Sequence, residues 1–196
     1  VEDDQSVELG APEAGGNLGL LQRARERNPD AYILYKPHPD VEAGYRKGAL
    51  EDRRVLEYAD SIVRDVAMPD ILAQCDAVET MTSLVGFEAL LRGRQVAVHG
   101  RPFYAGWGLT EDLLPFPRRT RRLSLDELVA VALILYPRYL DPVSGLPCTP
   151  ELVVSRLAEG RSGKAPRRFL WPVKSSAWQA LAAGRRLWNK RLQMGR

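Results

Sequence analysis

Four short apolar runs constrain this chain most: Ala31-Tyr32-Ile33-Leu34-Tyr35-Lys36, Ser61-Ile62-Val63-Arg64, Ala77-Val78-Glu79-Thr80 and Gln95-Val96-Ala97-Val98-His99. Each is short and rich in β-branched or aromatic residues, the composition of a strand in a pleated sheet. The segments between them carry helix starts and stops: Asn17, Pro69, and Thr82 or Ser83 at the beginnings, Asn28-Pro29 and Arg92-Gly93 at the ends. Strands alternating with helices at this spacing predict an α/β fold with a parallel sheet covered on both faces. In such sheets ligands sit beyond the carboxyl ends of the strands, which is where chemistry is sought first.

The remaining segments fill in this frame. Val1 to Val7 reads as the end of a strand running into an acidic turn. Gly10 to Gly16 is a loop, and Asn17 caps the helix that follows. The run 31–36 reads as a buried strand, 40–48 as a loop and 50–58 as a short helix. Gly100 to Thr120 has no periodicity and is crowded with Gly, Pro and aromatic residues; a loop of that length inside a compact domain is usually functional. Ser124 and Glu127 form a capping box for an apolar helix ending near Tyr136-Pro137, and Thr149-Pro150-Glu151 opens another to about Ala158. Gly160 to Pro172 reads as a linker, followed by an amphipathic helix from Ser175 to about Leu192.

Composition excludes several classes. The 196 residues suffice for one buried domain and a small appendage. No apolar run reaches the length of a membrane span, and the dinucleotide fingerprint Gly-x-Gly-x-x-Gly is absent. Cys75 and Cys148 lack metal-ligand spacing and read as thiols in a reducing cytoplasm. The first residues are neither an initiator methionine nor a secretion signal, so the expected parent is a larger protein. Residues 1–160 hold 18 Lys/Arg against 25 Asp/Glu, whereas 161–196 hold 10 Lys/Arg and no acid. An acidic body disfavours nucleic acid as a partner. The basic tail, with Phe169, Trp171, Trp178 and Trp188, fits either an anionic lipid surface or acidic partner, or an ordinary solvated helix.

Four constellations could carry chemistry. Lys36 and His38 leave the end of a strand, with Pro37 and Pro39 restricting the backbone around them; the pair suits a phosphate or carboxylate, or else His38 only satisfies a carbonyl. Thr82 and Ser83 offer hydroxyls at a helix start, with Glu88 one turn in and small Gly86 allowing close approach; an anion site or a plain capped helix both fit. Glu2, Asp3 and Asp4 crowd carboxylates that could hold a nucleophile or base, or form a solvated turn. The loop Arg101 to Asp112 joins a cation to Phe103, Tyr104 and Trp107, residue types that would cover a sugar acid or seal a core. His99 ends a strand and reads as structural.

Taken in order, Val1-Glu2-Asp3-Asp4-Gln5-Ser6, Tyr35-Lys36-Pro37-His38-Pro39-Asp40, Thr82-Ser83-Leu84-Val85-Gly86-Phe87-Glu88-Ala89-Leu90 and His99-Gly100-Arg101-Pro102-Phe103-Tyr104-Ala105-Gly106-Trp107-Gly108-Leu109-Thr110 resemble the bacterial capsule polysaccharide biosynthesis and export glycosyltransferases, the retaining β-Kdo transferases. The resemblance continues through Pro142-Val143-Ser144-Gly145 to about residue 160. It implies a Rossmann-like, nucleotide-sugar-binding C-terminal half of a GT-B module, residues 1–160, with 161–196 as basic aromatic linker and terminal helix. It implies transfer of Kdo from CMP-β-Kdo, as donor substrate with no further cofactor, to a lipid-linked or Kdo-primed acceptor, at the cytoplasmic face of the inner membrane. The implied partners are an acceptor-binding N-terminal domain ahead of Val1, a second catalytic module and capsule-export proteins. The isolated half is expected to be inactive. Asp4 matches the nucleophile, with Asp3 as the alternative; His38, Thr82 and Ser83 match phosphate contacts, and Glu88 a nucleotide contact. Lys36 and Arg101 enter the donor site on the physical reading alone. The competing readings are another CMP- or UDP-sugar glycosyltransferase and a noncatalytic membrane-associated scaffold.

Overall fold

A computed structural model describes residues 1–162. They fall into two compact units, Val1–Pro137 and one beginning at Arg138. The first contains α1 (Gln5–Gly10), α2 (Gly16–Arg27), β1 (Leu34–Tyr35), α3 (Pro39–Glu42), α4 (Asp52–Val55), β2 (Ser61–Ile62), α5 (Met68–Gln74), β3 (Ala77–Thr80), α6 (Leu84–Leu90), β4 (Gln95–Val98), β5 (Glu111–Asp112) and α7 (Leu125–Val129), which runs on into a π-helical turn, Ala130–Leu135. The second contains the antiparallel pair β6 (Tyr139–Leu140) and β7 (Pro147–Cys148), then α8 (Pro150–Ser162).

Every strand pairing in the first unit is parallel: β1 with β2, and β3 with β4 with β5. The period of two along the strands assigns the faces. Val78, Val96 and Val98 pack with Leu72 of α5 and Phe87, Ala89 and Leu90 of α6. Glu79 points the other way, to Arg27 and Asn28 at the end of α2. Helices therefore cover both faces, as the alternation of strands and helices predicts, and the architecture is mixed α/β and Rossmann-like. Burying side chains such as Leu72 and Val98 completely stabilises the fold by about 1.5–3 kcal/mol each.

The local expectations fared unevenly. The capping box at Ser124 and Glu127 forms in full, Pro69 lies in the first turn of α5, and Ser83 caps α6. Val1 to Val7 is not a strand end: the first four residues form a turn and α1 follows, because Asp4 caps it by accepting from the Ser6 amide at 2.8 Å. Asn17 does not cap α2. Its amide donates to the Glu2 carboxylate at 2.7 Å, so the cap comes from a residue distant in sequence. Gly16 is required there: its φ is +69°, and a Cβ would meet the Glu2 carboxyl carbon at 2.9 Å. The run 31–36 pairs over two residues only and is not buried, Leu34 being exposed. α3 starts at Pro39, where His38 caps it, and takes up the first residues of the expected loop 40–48. The linker expected from Gly160 begins inside α8, and the terminal helix from Ser175 lies outside the described residues.

Candidate functional site

The acidic turn is fixed from two directions. Asp4 Oδ1 is occupied as the cap of α1, and its Oδ2 lies 3.5 Å from Arg46. Asp3 Oδ1 accepts from Arg46 Nε at 3.0 Å and from the Lys47 amide at 3.2 Å, while the Glu2 amide donates to the Lys47 carbonyl. Hydrogen bonding by Arg46 holds the Asp3 carboxyl below its usual range, and hydrogen bonding by Ser6 does the same for Asp4. Both groups are therefore ionised at neutral pH. Arg46 sits between Gly44 and Gly48, whose φ values of +72° and +113° turn the loop back onto the carboxylates.

The same loop begins at His38. The side chain is half exposed, and Nδ1 accepts from the Asp40 amide at 3.2 Å. In the neutral ring this leaves the proton on Nε2 as a donor. The Tyr45 and Arg46 amides donate to the Asp40 carbonyl, tying the His38 turn to the Arg46 loop and, through it, to Asp3.

On the β3–α6 side, Thr82 Oγ1 lies 3.4 Å from Ser6 Oγ. Ser83 Oγ accepts from the Val85 amide at 3.3 Å, so one of the free amides at the start of α6 is already satisfied. The Arg101 amide donates to the Gly10 carbonyl at 2.8 Å, and the side chain of Arg101 is exposed. Ala11, Ala14 and Met81 form a small apolar cluster with Val7 and Leu20 that holds α1 against the β3–α6 turn.

The structure thus brings together Asp3, Asp4, Ser6 and Thr82, with Ser83 the next residue of the β3–α6 turn, and joins Arg101 to α1 through its backbone. Lys36 is directed elsewhere: Nζ donates to the Arg64 carbonyl at 2.7 Å. Arg64 in turn bridges Glu42 at 2.6 Å and Asp52 at 2.5 Å. A cavity of about 280 Å³ opens beside this bridge, between Tyr35, Pro37, Val41 and Ile62. Glu88 faces Arg92, just past the end of α6, at 3.9 Å.

In the aromatic loop, Tyr104 takes the core-sealing one of the two readings. Tyr104 is completely buried; its hydroxyl donates to the Ser83 carbonyl at 2.6 Å, and its ring lies against Gly86. Burial raises the phenol above its ordinary range. Phe103 and Phe87 close around it, their ring centroids 5.3 Å and 6.3 Å from its own. Arg119 stacks on Trp107 and Phe116 and donates to the carbonyls of Pro102 and Ala105. Tyr104 therefore braces the β3–α6 turn from beneath and cannot serve as a platform for a sugar. His99 is structural as read: buried, and hydrogen-bonded to Glu79.

Sequence reasoning passed over Ser6, Arg46 and Arg64. The one available signal for Arg46 was the pair of glycines around Tyr45-Arg46-Lys47, the mark of a loop that must fold back.

Known proteins resemble this chain. A family described as capsule polysaccharide biosynthesis protein matches residues 1–139. The capsule polysaccharide modification protein LipA of Neisseria meningitidis serogroup A is 55% identical over 142 residues, 72% of this chain and 20% of LipA. The beta Kdo 2,7 transferase structure of Thermosulfurimonas dismutans KpsC superposes with a TM-score of 0.75 at 44% identity, covering 82% of this chain and 52% of that one. The beta Kdo 2,4 transferase structure of the same KpsC gives 0.67 at 37% identity, over 79% and 48%. The chain therefore spans about a fifth of the curated relative and half of each solved structure.

Proposed function

The chain belongs to the capsule polysaccharide biosynthesis protein family, and from that premise we propose that it is the donor-binding half of a retaining β-Kdo glycosyltransferase of the GT-B kind. The donor is CMP-β-Kdo and the acceptor a lipid-linked glycan presented at the cytoplasmic face of the membrane. Among the described residues no helix is long and apolar enough to cross a membrane.

The observation that supports this reading most is the convergence of two ionised carboxylates with hydroxyl donors next to the His38 loop. Retention calls for two inversions. A carboxylate attacks the anomeric carbon, CMP leaves with the bonding pair, and the acceptor hydroxyl then displaces the enzyme ester while its proton passes to a base. Asp4, immediately before Gln5-Ser6, is the first candidate and Asp3 the alternative; each has one oxygen held by hydrogen bonds, Asp4 Oδ1 by the Ser6 amide and Asp3 Oδ1 by Arg46 and the Lys47 amide. Nε2–H of His38 and the hydroxyls of Thr82 and Ser83 would stabilise charge on the departing phosphate, at about 3–4 kcal/mol for a well-placed donor. Arg101 would add positive charge. Glu88 would accept from the nucleoside, which requires it to leave Arg92; Lys36 would have to give up the Arg64 carbonyl.

Calorimetry with CMP and UDP tests the donor: CMP is expected to bind the tighter, and equal or absent binding overturns the assignment. In a protein carrying both halves, His38→Ala should reduce transfer from CMP-Kdo at least about tenfold with the fold intact; unchanged turnover removes His38 from the site.

A further inference from the structure

Arg46 is the cation built into the acidic turn, and its guanidinium is only partly used. Nε donates to Asp3 Oδ1 at 3.0 Å, and Nη2 stands 3.5 Å from Asp4 Oδ2. Nη1 has no partner among the described residues. Nε and Nη2 share one edge of the planar group, so the edge formed by Nη1 and Nη2 keeps parallel N–H donors for a further carboxylate. Solvent reaches 35% of the side chain, which leaves an approach to that edge.

The backbone holds this group in register with His38. The Tyr45 and Arg46 amides donate to the Asp40 carbonyl at 2.8 Å and 3.1 Å, and the Asp40 amide donates to His38 Nδ1. At the far end of the loop the Lys47 carbonyl accepts from the Glu2 amide at 3.0 Å, and the Gly48 carbonyl from Asn17 Nδ2 at 2.8 Å. One bonded loop therefore carries two groups suited to anions, set in place before any ligand arrives. Neighbouring cations are differently engaged. Lys36 is spent on the Arg64 carbonyl, Arg64 on Glu42 and Asp52, and Arg101 meets α1 through its backbone amide.

We propose that Arg46 is the receptor for the carboxylate of a 2-keto sugar acid and so selects the sugar of the donor, while His38, Thr82 and Ser83 answer to its phosphate. The assignment rests on the donor reading above and deepens it. In such a donor one anomeric carbon bears both the phosphate oxygen and the sugar's own carboxylate, so the two receptors must be neighbours, and Arg46 and His38 belong to one loop. The same carbon is attacked by Asp4 or Asp3. Two carboxylates brought that close repel unless a cation lies beside both, and Arg46 already touches either candidate. As the carboxylate oxygen forms its bond to the anomeric carbon, the bond from that carbon to the phosphate oxygen breaks and its electron pair leaves with CMP. The ester is neutral, and Arg46 is left with the other carboxylate of the turn and that of the sugar. A nucleotide of a neutral sugar forfeits the contact.

Calorimetry on a protein carrying both halves, saturated with CMP, tests the assignment with two probes: 2-deoxy-β-Kdo, which keeps the carboxylate and lacks a leaving group, and its C1 amide. The acid is expected to bind at least about tenfold tighter than the amide. Arg46→Met should abolish that preference and Arg46→Lys should keep part of it, with CMP bound alike by all three; Arg46→Gln replaces the methionine variant if that does not fold. Equal or absent binding of acid and amide by the unsubstituted protein overturns the proposal, and so does a preference that survives Arg46→Met. Equal weakening of acid and amide in Arg46→Met also overturns it, because Arg46 then only shapes the turn. In each of these cases CMP still binds and the donor reading stands. Failure of the unsubstituted protein to bind CMP overturns that reading, and this assignment with it.

Discussion

Asp3 and Asp4 owe their ionisation to named neighbours, and their dependence on pH follows. Both carboxyls are depressed, Asp3 chiefly by Arg46 and Asp4 chiefly by Ser6, with Arg46 contributing to each. A group depressed in the folded protein stays charged above its ordinary value and loses that advantage only as pH falls through the lowered value. Arg46→Met removes a donor from Asp3 and a nearby cation from both. The acid limb of kcat/KM against pH, measured on the longer protein with a CMP-sugar donor, should therefore move to higher pH, and it should move back in Arg46→Lys. An unchanged limb would separate Arg46 from the reacting carboxylate.

The β3–α6 turn behaves as one element because Tyr104 supports it. The ring lies so close to Gly86 that a Cβ there would meet Cζ at 2.7 Å, and the hydroxyl satisfies the Ser83 carbonyl. Gly86→Ala is expected to destabilise the chain by roughly 1–3 kcal/mol through overpacking, and Tyr104→Phe by about 1 kcal/mol through the lost hydrogen bond. Thermal melts check both. The double variant should lose less than the sum, since removing the hydroxyl relieves part of the clash. Such an element can hold Thr82 and Ser83 in place without touching a ligand. In the second unit the turn after β6 is fixed similarly: Ser144, Val143 and Arg156 hold the Asp141 carboxyl down to about 2.

Across the whole first unit, Glu79 joins elements that the sheet leaves apart. It accepts from His99 on the β4 side, from Arg27 of α2 and from Asn28 just past its end, and Arg27 also pairs with Glu111 of β5 at 2.7 Å. Burial opposes its ionisation, but hydrogen bonds from His99 and Asn28 hold the Glu79 carboxyl below the usual range. Its stabilisation is therefore present above the ordinary carboxylate pKa and fades in acid. His99→Leu should cost about 1–3 kcal/mol at neutral pH by leaving Glu79 with fewer partners, and the deficit, read from denaturant melts, should narrow as pH falls through the lowered value. The residue sequence alone determined the alternation of β1 to β4 with the helices α2, α5 and α6, the caps at Ser83 and Ser124, and the punctuation by Pro69 and Gly93, because these depend on local backbone preference and on short periods. Only the tertiary structure decided that Glu2 caps α2, that Arg46 clamps the acidic turn and that Tyr104 belongs to the core. Each of those joins segments far apart along the chain, and no local preference encodes which distant partner a backbone edge or a carboxylate will meet.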